Sequence, residues 1–447
     1  MGRQSPRDPF ATAESPLPRG LPVVHFFLSP CRLYTDFPFW AIDLPFFEDI
    51  AMDQILAQRM SGVPRSFIRE ILKVSLDPTI ISFAGGLPNA AYFPVGELEA
   101  AAAKVFASQG ATALQYGRTE GDEELRQWIA NRYRDKKGLE VDIDHILITN
   151  GSQQGLDLLG KVLLDSGDGV LIEEPGYLGA IQSLSLFQPR FLPVALNDDG
   201  LHIPSLHKTL AGASAKLLYA VPSFQNPSGV SYSDDNRQRV ADLAREHRFV
   251  VVEDDPYGEL RFAGREAKSF AHYLPESTVL LGSFSKVVAP GFRLGWLVAP
   301  SWLHDRLIVA KQAADLHTSS FTQRVMATFL ADNDLDSHIA RIIEAYGRQC
   351  RAMEDALQRH FPKEITFTKP EGGMFLWGRL PEGMDAMQLF HKAVGEKVVF
   401  VPGNPFYTAS GATSTMRFSF SCVDGPIIDE GVQRLARALG KFNAAFS

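Results

Sequence analysis

Leu281-Gly282-Ser283-Phe284-Ser285-Lys286-Val287-Val288-Ala289-Pro290-Gly291-Phe292-Arg293 is the stretch on which the reading of this chain turns. It sets a lysine just beyond an apolar, strand-like run (Thr278 to Leu281), flanks it with two hydroxyls and places an arginine seven positions later, across a Pro-Gly turn. Such an array suits a phosphorylated aldehyde. The lysine amine can condense with the aldehyde, while Ser283, Ser285 and the planar fork of Arg293 can hold phosphate oxygens. Read alone, an S-x-S-K at a strand end is more often an ordinary surface turn, so its surroundings must decide.

Outward from this stretch, between about Val95 and Val298, short apolar runs alternate with longer amphipathic segments. Ile146 to Ile148, Val170 to Ile172, Lys216 to Val221, Phe249 to Val252 and Val279 to Leu281 read as buried strands. Leu125 to Tyr133, Gln154 to Leu164 and Arg237 to Arg248 read as helices between them. The alternation predicts an α/β domain built on a doubly wound, mostly parallel sheet. Ligands of such sheets sit at the carboxyl ends of the strands, so the loops that follow strands are where chemistry is expected.

Four of those loops carry unusual residues. Thr149-Asn150-Gly151-Ser152-Gln153-Gln154-Gly155 is a glycine turn into a helix, where free N–H groups and a serine hydroxyl make an anion site. Ser152 acting only as an N-cap is the alternative. Glu173-Glu174-Pro175-Gly176-Tyr177 could lay an aromatic ring over a flat ligand. In Pro222-Ser223-Phe224-Gln225-Asn226-Pro227-Ser228-Gly229, the Asn226-Pro227 bond is a candidate cis peptide. Val252-Glu253-Asp254-Asp255-Pro256-Tyr257 puts acids where a strand emerges.

Composition narrows the field. The chain has 447 residues, 45% hydrophobic and 21% charged, which is ample for two packed domains. A net charge of -8 leaves no basic footprint for nucleic acid or an anionic membrane. The three cysteines, Cys31, Cys350 and Cys422, are odd in number and far apart, indicating neither a disulfide framework nor a metal cluster; a reducing cytoplasm is the expected compartment. No apolar run approaches the roughly 20 residues that span a bilayer.

The N-terminal part differs in character. Residues 1–51 are rich in proline and aromatics without periodicity and are not expected to form a domain. The run Leu21 to Leu28 could pass for a signal-peptide core, but Pro22 interrupts it and no clear cleavage site follows. Met52, which opens a regular segment, is an alternative start. Phe67 to Val74 has helical spacing with Arg65 and Arg69 one turn apart, and Gly85-Gly86-Leu87-Pro88 marks a tight turn or a close backbone approach.

Taken together and in order, from about Ser61 to the C-terminal helix, these segments resemble the fold type I pyridoxal-phosphate aminotransferases of class I and II. They are most similar to the branch holding 2-aminoadipate and kynurenine/aminoadipate aminotransferases. The resemblance implies a large cofactor-binding domain over residues 96–310. It also implies a smaller α+β domain built from the capping segment 52–95 and the C-terminal part 311–447. It makes Lys286 the Schiff-base lysine that shuttles a proton, Asp254 the carboxylate on the pyridine nitrogen, Tyr257 and Asn226 the partners of the ring 3-oxygen, and Tyr177 the stacking ring. Ser152, Gln153, Ser283, Ser285 and Arg293 become the phosphate cup, completed by Tyr116 from the other subunit of a homodimer with shared active sites.

On the substrate side, Met416 to Phe420 alternates, so Arg417 and Ser419 share a face. The resemblance makes Arg417 the bidentate clamp for the substrate α-carboxylate, with Asn226 and the Gly85-Gly86 backbone beside it. Ser66, Ile68 and Arg69 fall on a capping helix, where Arg69 would bind the distal carboxylate of 2-aminoadipate or glutamate. The implied reaction is ping-pong transfer of an amino group from an L-amino acid to 2-oxoglutarate, with aromatic or branched donors as further candidates and no metal. A β-eliminating lyase on the same scaffold and a non-catalytic regulator are the alternatives; the regulator lacks a plausible DNA-binding segment in residues 1–51. Gly117-Arg118 departs from the serine or proline that many relatives carry after the tyrosine.

Overall fold

The computed structural model describes residues 56–60, 71, 74, 77–409, 411 and 413–443. The chain divides into two units, Met1–Leu56 and Ala57–Ser447, and the site lies wholly in the second. Ser66, Ile68 and Arg69 lie outside the described residues, as does the extension 1–51.

In chain order the strands are β1 (Ile81–Ser82), β2 (Ile146–Thr149), β3 (Gly169–Glu174), β4 (Arg190–Asn197), β5 (Gly200–Leu201), β6 (Leu217–Ala220), β7 (Val250–Asp254), β8 (Thr278–Ser283), β9 (Gly295–Val298), β10 (Thr366–Phe367), β11 (Phe375–Arg379), β12 (Val398–Val399), β13 (Val401–Pro402) and β14 (Thr415–Ser419). The longer helices are α1 (Val95–Ala113), α2 (Glu123–Arg132), α3 (Ser152–Leu163), α4 (Leu178–Ser185), α5 (Ile203–Gly212), α6 (Asp234–His247), α7 (Ser301–Ala314), α8 (Ser320–Asp332), α9 (Leu335–His360), α10 (Ala386–Gly395) and α11 (Gly425–Asn443).

Eight strands form one sheet in the order β2-β9-β8-β7-β6-β3-β4-β5. β9 runs antiparallel to both β2 and β8, β5 runs antiparallel to β4, and the remaining pairs are parallel. The expected doubly wound, mostly parallel sheet is therefore present. β2, β6, β7 and β8 are buried at every position, which explains why they read as unbroken apolar runs. Alternate residues feed two cores: Leu171, Leu218 and Val251 pack under α5 and α6, while Val170, Leu217 and Val252 face the other side.

β4 escaped the sequence reading. Its residues alternate between buried and exposed beside the two-residue edge strand β5, and Pro193 breaks the run, so the apolar signal is diluted. Two helices begin two or three residues ahead of their expected first turns because caps start them. Asp122 accepts from the backbone N–H of Leu125 and Ser233 from that of Asn236.

A second, antiparallel sheet, β10-β11-β14-β13, is formed by the C-terminal part. The segment after β1 is threaded onto it. β1 pairs in parallel with β12, Phe83 N donates to Val399 O at 2.8 Å, and Ser419 N donates to Phe83 O at 2.8 Å. Phe83, Phe400 and Phe418 pack in the core beneath, Phe400 stacked on Phe418 at 5.6 Å. This stitch carries Gly86 back to the carboxyl ends of the large sheet.

Candidate active site

Four parallel strands of the large sheet, β3, β6, β7 and β8, deliver groups to a common cavity. β8 ends at Ser283, whose Oγ accepts from Ser285 N at 3.1 Å and turns the chain so that Lys286 faces inward. Lys286 Nζ donates to Gly86 O at 3.0 Å. Burial first, and then the Arg417 guanidinium, pull this amine down to about 8.

β7 ends at Asp254, 2% exposed. Its Oδ2 accepts from the Tyr219 hydroxyl at 2.7 Å, while Oδ1 is buried and accepts no hydrogen bond among the described residues. Burial pushes this carboxyl up to about 7, with Tyr219 opposing and Asp255 adding to the rise. Tyr177, after β3, lies nearly parallel to Tyr219, ring centroids 6.4 Å apart at 27°.

The loop after β6 brings Asn226. Both Asn226-Pro227 and Glu174-Pro175 are cis. Glu173 holds the loop, accepting from Val221 N (3.0 Å), Gln225 Nε2 (2.9 Å) and the Tyr232 hydroxyl (2.7 Å). Asn226 Oδ1 accepts from Arg417 Nη1 at 2.9 Å, and its side chain is hydrogen-bonded to the Tyr257 phenol, which burial holds far above its ordinary pKa. Arg417, on β14, donates Nη2 to Ala84 O at 2.7 Å and lies over the Phe375 and Phe406 rings. Its Nε is buried without a partner among the described residues. Burial lowers this guanidinium to about 10, still cationic at neutral pH.

An anion cradle closes the opposite end. Gly151, at φ 74°, takes the cap position of α3, and Ser152 becomes the first helical residue with no capping bond from its side chain. The reading of Ser152 as an N-cap is thereby corrected: glycine reaches the left-handed conformation that the turn demands. A Cβ at Gly151 would lie 2.7 Å from Arg293 Nη2, so the glycine also lets the guanidinium reach the helix N-terminus. Gln153 Nε2 donates to Gly179 O at 3.1 Å. Beneath, buried Lys311 donates to Gln154 Oε1 and Asp315 Oδ1, both at 2.9 Å, and Asp315 accepts from Asn150 Nδ2 at 2.6 Å.

Ser152, Gln153, Tyr177, Asn226, Asp254, Tyr257, Ser283, Ser285, Lys286, Arg293, Arg417 and Gly86 thus surround one cavity of about 400 Å³. A larger cleft, about 640 Å³, is lined by the loop after β6 together with Arg261, Arg265, Glu266, Lys369 and Glu371, and none of the site residues named above lines it. Tyr116 is not brought into the cavity of its own chain. It is 80% exposed and stands edge-on to His317, whose Nε2 accepts from Gly117 N at 3.2 Å. A Cβ at Gly117 would meet the rotatable Ser320 Oγ at 2.6 Å and nothing else nearer than 3.7 Å, so the glycine gives close but adjustable packing there.

Sequence reasoning missed Tyr219, Glu173, Lys311 and Asp315. Tyr219 sits inside an all-apolar strand, and only its hydroxyl could have drawn attention; the others reach the site through contacts distant in sequence, Glu173 to Gln225, Lys311 to Gln154 and Asp315 to Asn150. Among the described residues no group of His, Cys, Asp or Glu could hold a metal ion, and no helix is long and apolar enough to cross a membrane.

The residues fit pyridoxal phosphate. An anion cradle, a lysine of lowered pKa, a flat aromatic and a buried carboxylate oxygen lacking a protein donor match its phosphate, aldehyde, ring and ring nitrogen. Comparison with known proteins agrees. The model of the family "Aminotransferase class I and II" matches residues 87–435. The chain is 39% identical over 393 residues to the aromatic-amino-acid aminotransferase 1 of Thermococcus litoralis, covering 87% of this chain and 94% of that one. It is 42% identical over 381 residues to the 2-aminoadipate transaminase of Thermus thermophilus, covering 84% and 94%. The crystal structure of the α-aminoadipate aminotransferase LysN of Thermus thermophilus, complexed with N-(5'-phosphopyridoxyl)-L-leucine, superposes with a TM-score of 0.82 at 40% identity over 88% of this chain and 99% of that one.

Proposed function

This chain belongs to the class I and II aminotransferases and is a pyridoxal-phosphate-dependent transaminase, and we propose from that premise that its amino donor is an acidic L-amino acid, 2-aminoadipate or glutamate. Aromatic and branched donors are admitted as well, 2-oxoglutarate is the acceptor, and the two half-reactions run in ping-pong order. The enzyme works in the cytoplasm as a homodimer with shared active sites. The observation that carries the reaction type is the lowered-pKa amine of Lys286 in one cavity with an unpartnered oxygen of Asp254 and the buried guanidinium of Arg417. The relatives named for 2-aminoadipate, for aromatic amino acids and for a phosphopyridoxyl-leucine complex support the donor range.

When bound, the cofactor supplies an aldehyde carbon for the amino group and a ring that withdraws electrons from the substrate α-carbon. The protein does the rest. Asp254 would keep a proton on the ring nitrogen, Tyr257 and Asn226 would hold the 3-oxygen, and Tyr177 would cover the ring face. Ser152, Gln153, Ser283, Ser285 and Arg293 hold the phosphate, joined by the partner subunit's Tyr116. Arg417 grips the substrate α-carboxylate with Asn226 and the Gly86 backbone beside it. That grip would fix the orientation of the substrate Cα–H bond for proton removal. Lys286, whose amine burial holds down at about 8, would take the proton from the substrate α-carbon and give it back within the site. Arg69 and Ser66 would close over the distal carboxylate.

The test is a half-reaction: loaded enzyme without oxo acid, mixed separately with L-2-aminoadipate, L-glutamate, L-kynurenine, L-phenylalanine, L-leucine and L-cysteine. Conversion of the cofactor to pyridoxamine phosphate, with the matching 2-oxo acid released fastest from an acidic donor, is expected. Ammonia and pyruvate from cysteine with the cofactor unchanged would mean a β-eliminating lyase instead.

A further inference from the structure

β7 ends in three consecutive acids, Glu253, Asp254 and Asp255, and the fold compensates them differently. Glu253 points to the α6 side, where Arg237 Nη1 lies 3.3 Å from Oε1, while Ser269 Oγ and Phe270 N donate to Oε2 at 2.5 and 2.9 Å. Asp254, on the other face, accepts only from the Tyr219 hydroxyl among the described residues. Asp255 turns toward a five-residue π-helical turn, Tyr133–Lys137, whose last side chain sets its ammonium 3.2 Å from Asp255 Oδ2 and also pairs with Glu266. Lys137 is the one ion-pair partner of Asp255 among the described residues.

The local backbone is arranged for this meeting. Gly138, at φ 62°, ends the turn just past Lys137, and a Cβ on Gly258 would lie 2.3 Å from Asp255 Oδ2. Lys137 and Asp255 are 17% and 20% exposed, and Asp255 Oδ1 is buried without a donor. Burial works against the Lys137 cation, but the Asp255 and Glu266 carboxylates outweigh it and hold the ammonium above its ordinary pKa.

We propose that Lys137 is a positioning residue for the cofactor: by pairing with Asp255 it leaves Asp254 as the one acid of the strand end without an ion-pair partner among the described residues, and so commits that charge to the ring nitrogen of pyridoxal phosphate. The inference rests on the reading of Asp254 given above. Without Lys137, an uncompensated carboxylate would adjoin Asp254, and a like charge favours the protonated, neutral form. Neutral Asp254 makes only an uncharged hydrogen bond to the ring, about half as strong as the charge-assisted one. Asp255 already acts in that direction on Asp254.

The test measures dissociation constants of the full chain for pyridoxal phosphate and for its 1-deaza analogue, in which the ring nitrogen is a C–H. Wild type is expected to prefer the natural cofactor. Lys137→Met should lower that preference about tenfold, the effect of one pKa unit, and leave the constant for the analogue unchanged. Asp255→Asn, nearly isosteric, should keep the preference, and Lys137→Met/Asp255→Asn should restore it because the charge to be compensated is gone. Equal weakening of both ligands in Lys137→Met, or loss of preference in Asp255→Asn, would overturn the proposal. A wild type without preference would remove the Asp254 assignment itself, and this inference with it.

Discussion

The two ends of the active-site cavity are built by different means. The cofactor end is made from the carboxyl ends of adjacent parallel strands, so Lys286, Asp254, Asn226 and Tyr177 are set by the register of one buried sheet. The substrate end is assembled from segments more than three hundred residues apart: Arg417 Nη2 bonds Ala84 O across 333 positions, and Gly86 arrives on a strand pair of two residues. A parallel sheet buried on both faces cannot shift one strand without losing ladder bonds on two others. A segment held through a strand pair of two residues has fewer ladder bonds to lose. One scaffold can therefore keep its cofactor chemistry rigid while its substrate end varies, which accords with relatives named for aminoadipate and for aromatic donors.

Lys286 belongs to both ends, since its amine reaches Gly86 O from the tip of β8. Its replacement should have the largest effect. Lys286→Ala is expected to slow the half-reaction about 10⁴-fold, the upper range for a positioned proton carrier. Cofactor should still bind, but borohydride treatment followed by mass analysis should find none attached to the chain. Normal transamination by this variant would remove Lys286 from its role.

The substrate end should break separately. Arg417→Lys keeps the charge but loses the planar fork. Loss of one charge-assisted hydrogen bond, about 2 kcal/mol, should raise the KM for the amino donor about 30-fold, with the pyridoxal phosphate dissociation constant nearly unchanged. If both constants rose together, the two ends would be one mechanical unit and the contrast drawn above would fail.

The same contrast governs what could be read in advance. The cofactor end was legible because a strand followed by a chemically odd loop is a local pattern: Ser283 to Arg293, Asp254 to Tyr257 and Asn226 to Gly229 each stand within a few residues of an apolar run. The Gly85-Gly86 pair signalled a close approach but not its target; only the folded chain shows that a Cβ on Gly86 would lie 3.0 Å from Phe375. Supporting groups were hidden for two reasons. Tyr219 looks apolar within its strand, and Lys137, Glu173 and Asp315 act on partners dozens of positions away or more, where spacing carries no information. The alternative of Ser152 as the cap of α3 could be dismissed only in the folded chain, where φ 74° at Gly151 shows that the turn needs a glycine there.

The smallest effect should come from Tyr219→Phe, and it probes the cofactor end alone. The hydroxyl donates to Asp254 Oδ2 and opposes the rise that burial imposes on that carboxyl. Removing it leaves packing almost intact but takes away one hydrogen bond to a charged group, about 1.5 kcal/mol, or roughly tenfold in the cofactor dissociation constant. The pH dependence gives the sign. In its proposed role Asp254 would bind the ring nitrogen best as a carboxylate, so affinity should fall as pH drops through its pKa of about 7. Without the phenol that pKa moves further up, and the fall in affinity should begin at a higher pH. The KM for the amino donor should stay within about twofold, since Arg417 and its partners Asn226 and Ala84 are untouched. A change in donor KM without any shift in the pH profile of cofactor binding would place Tyr219 at the wrong end of the cavity.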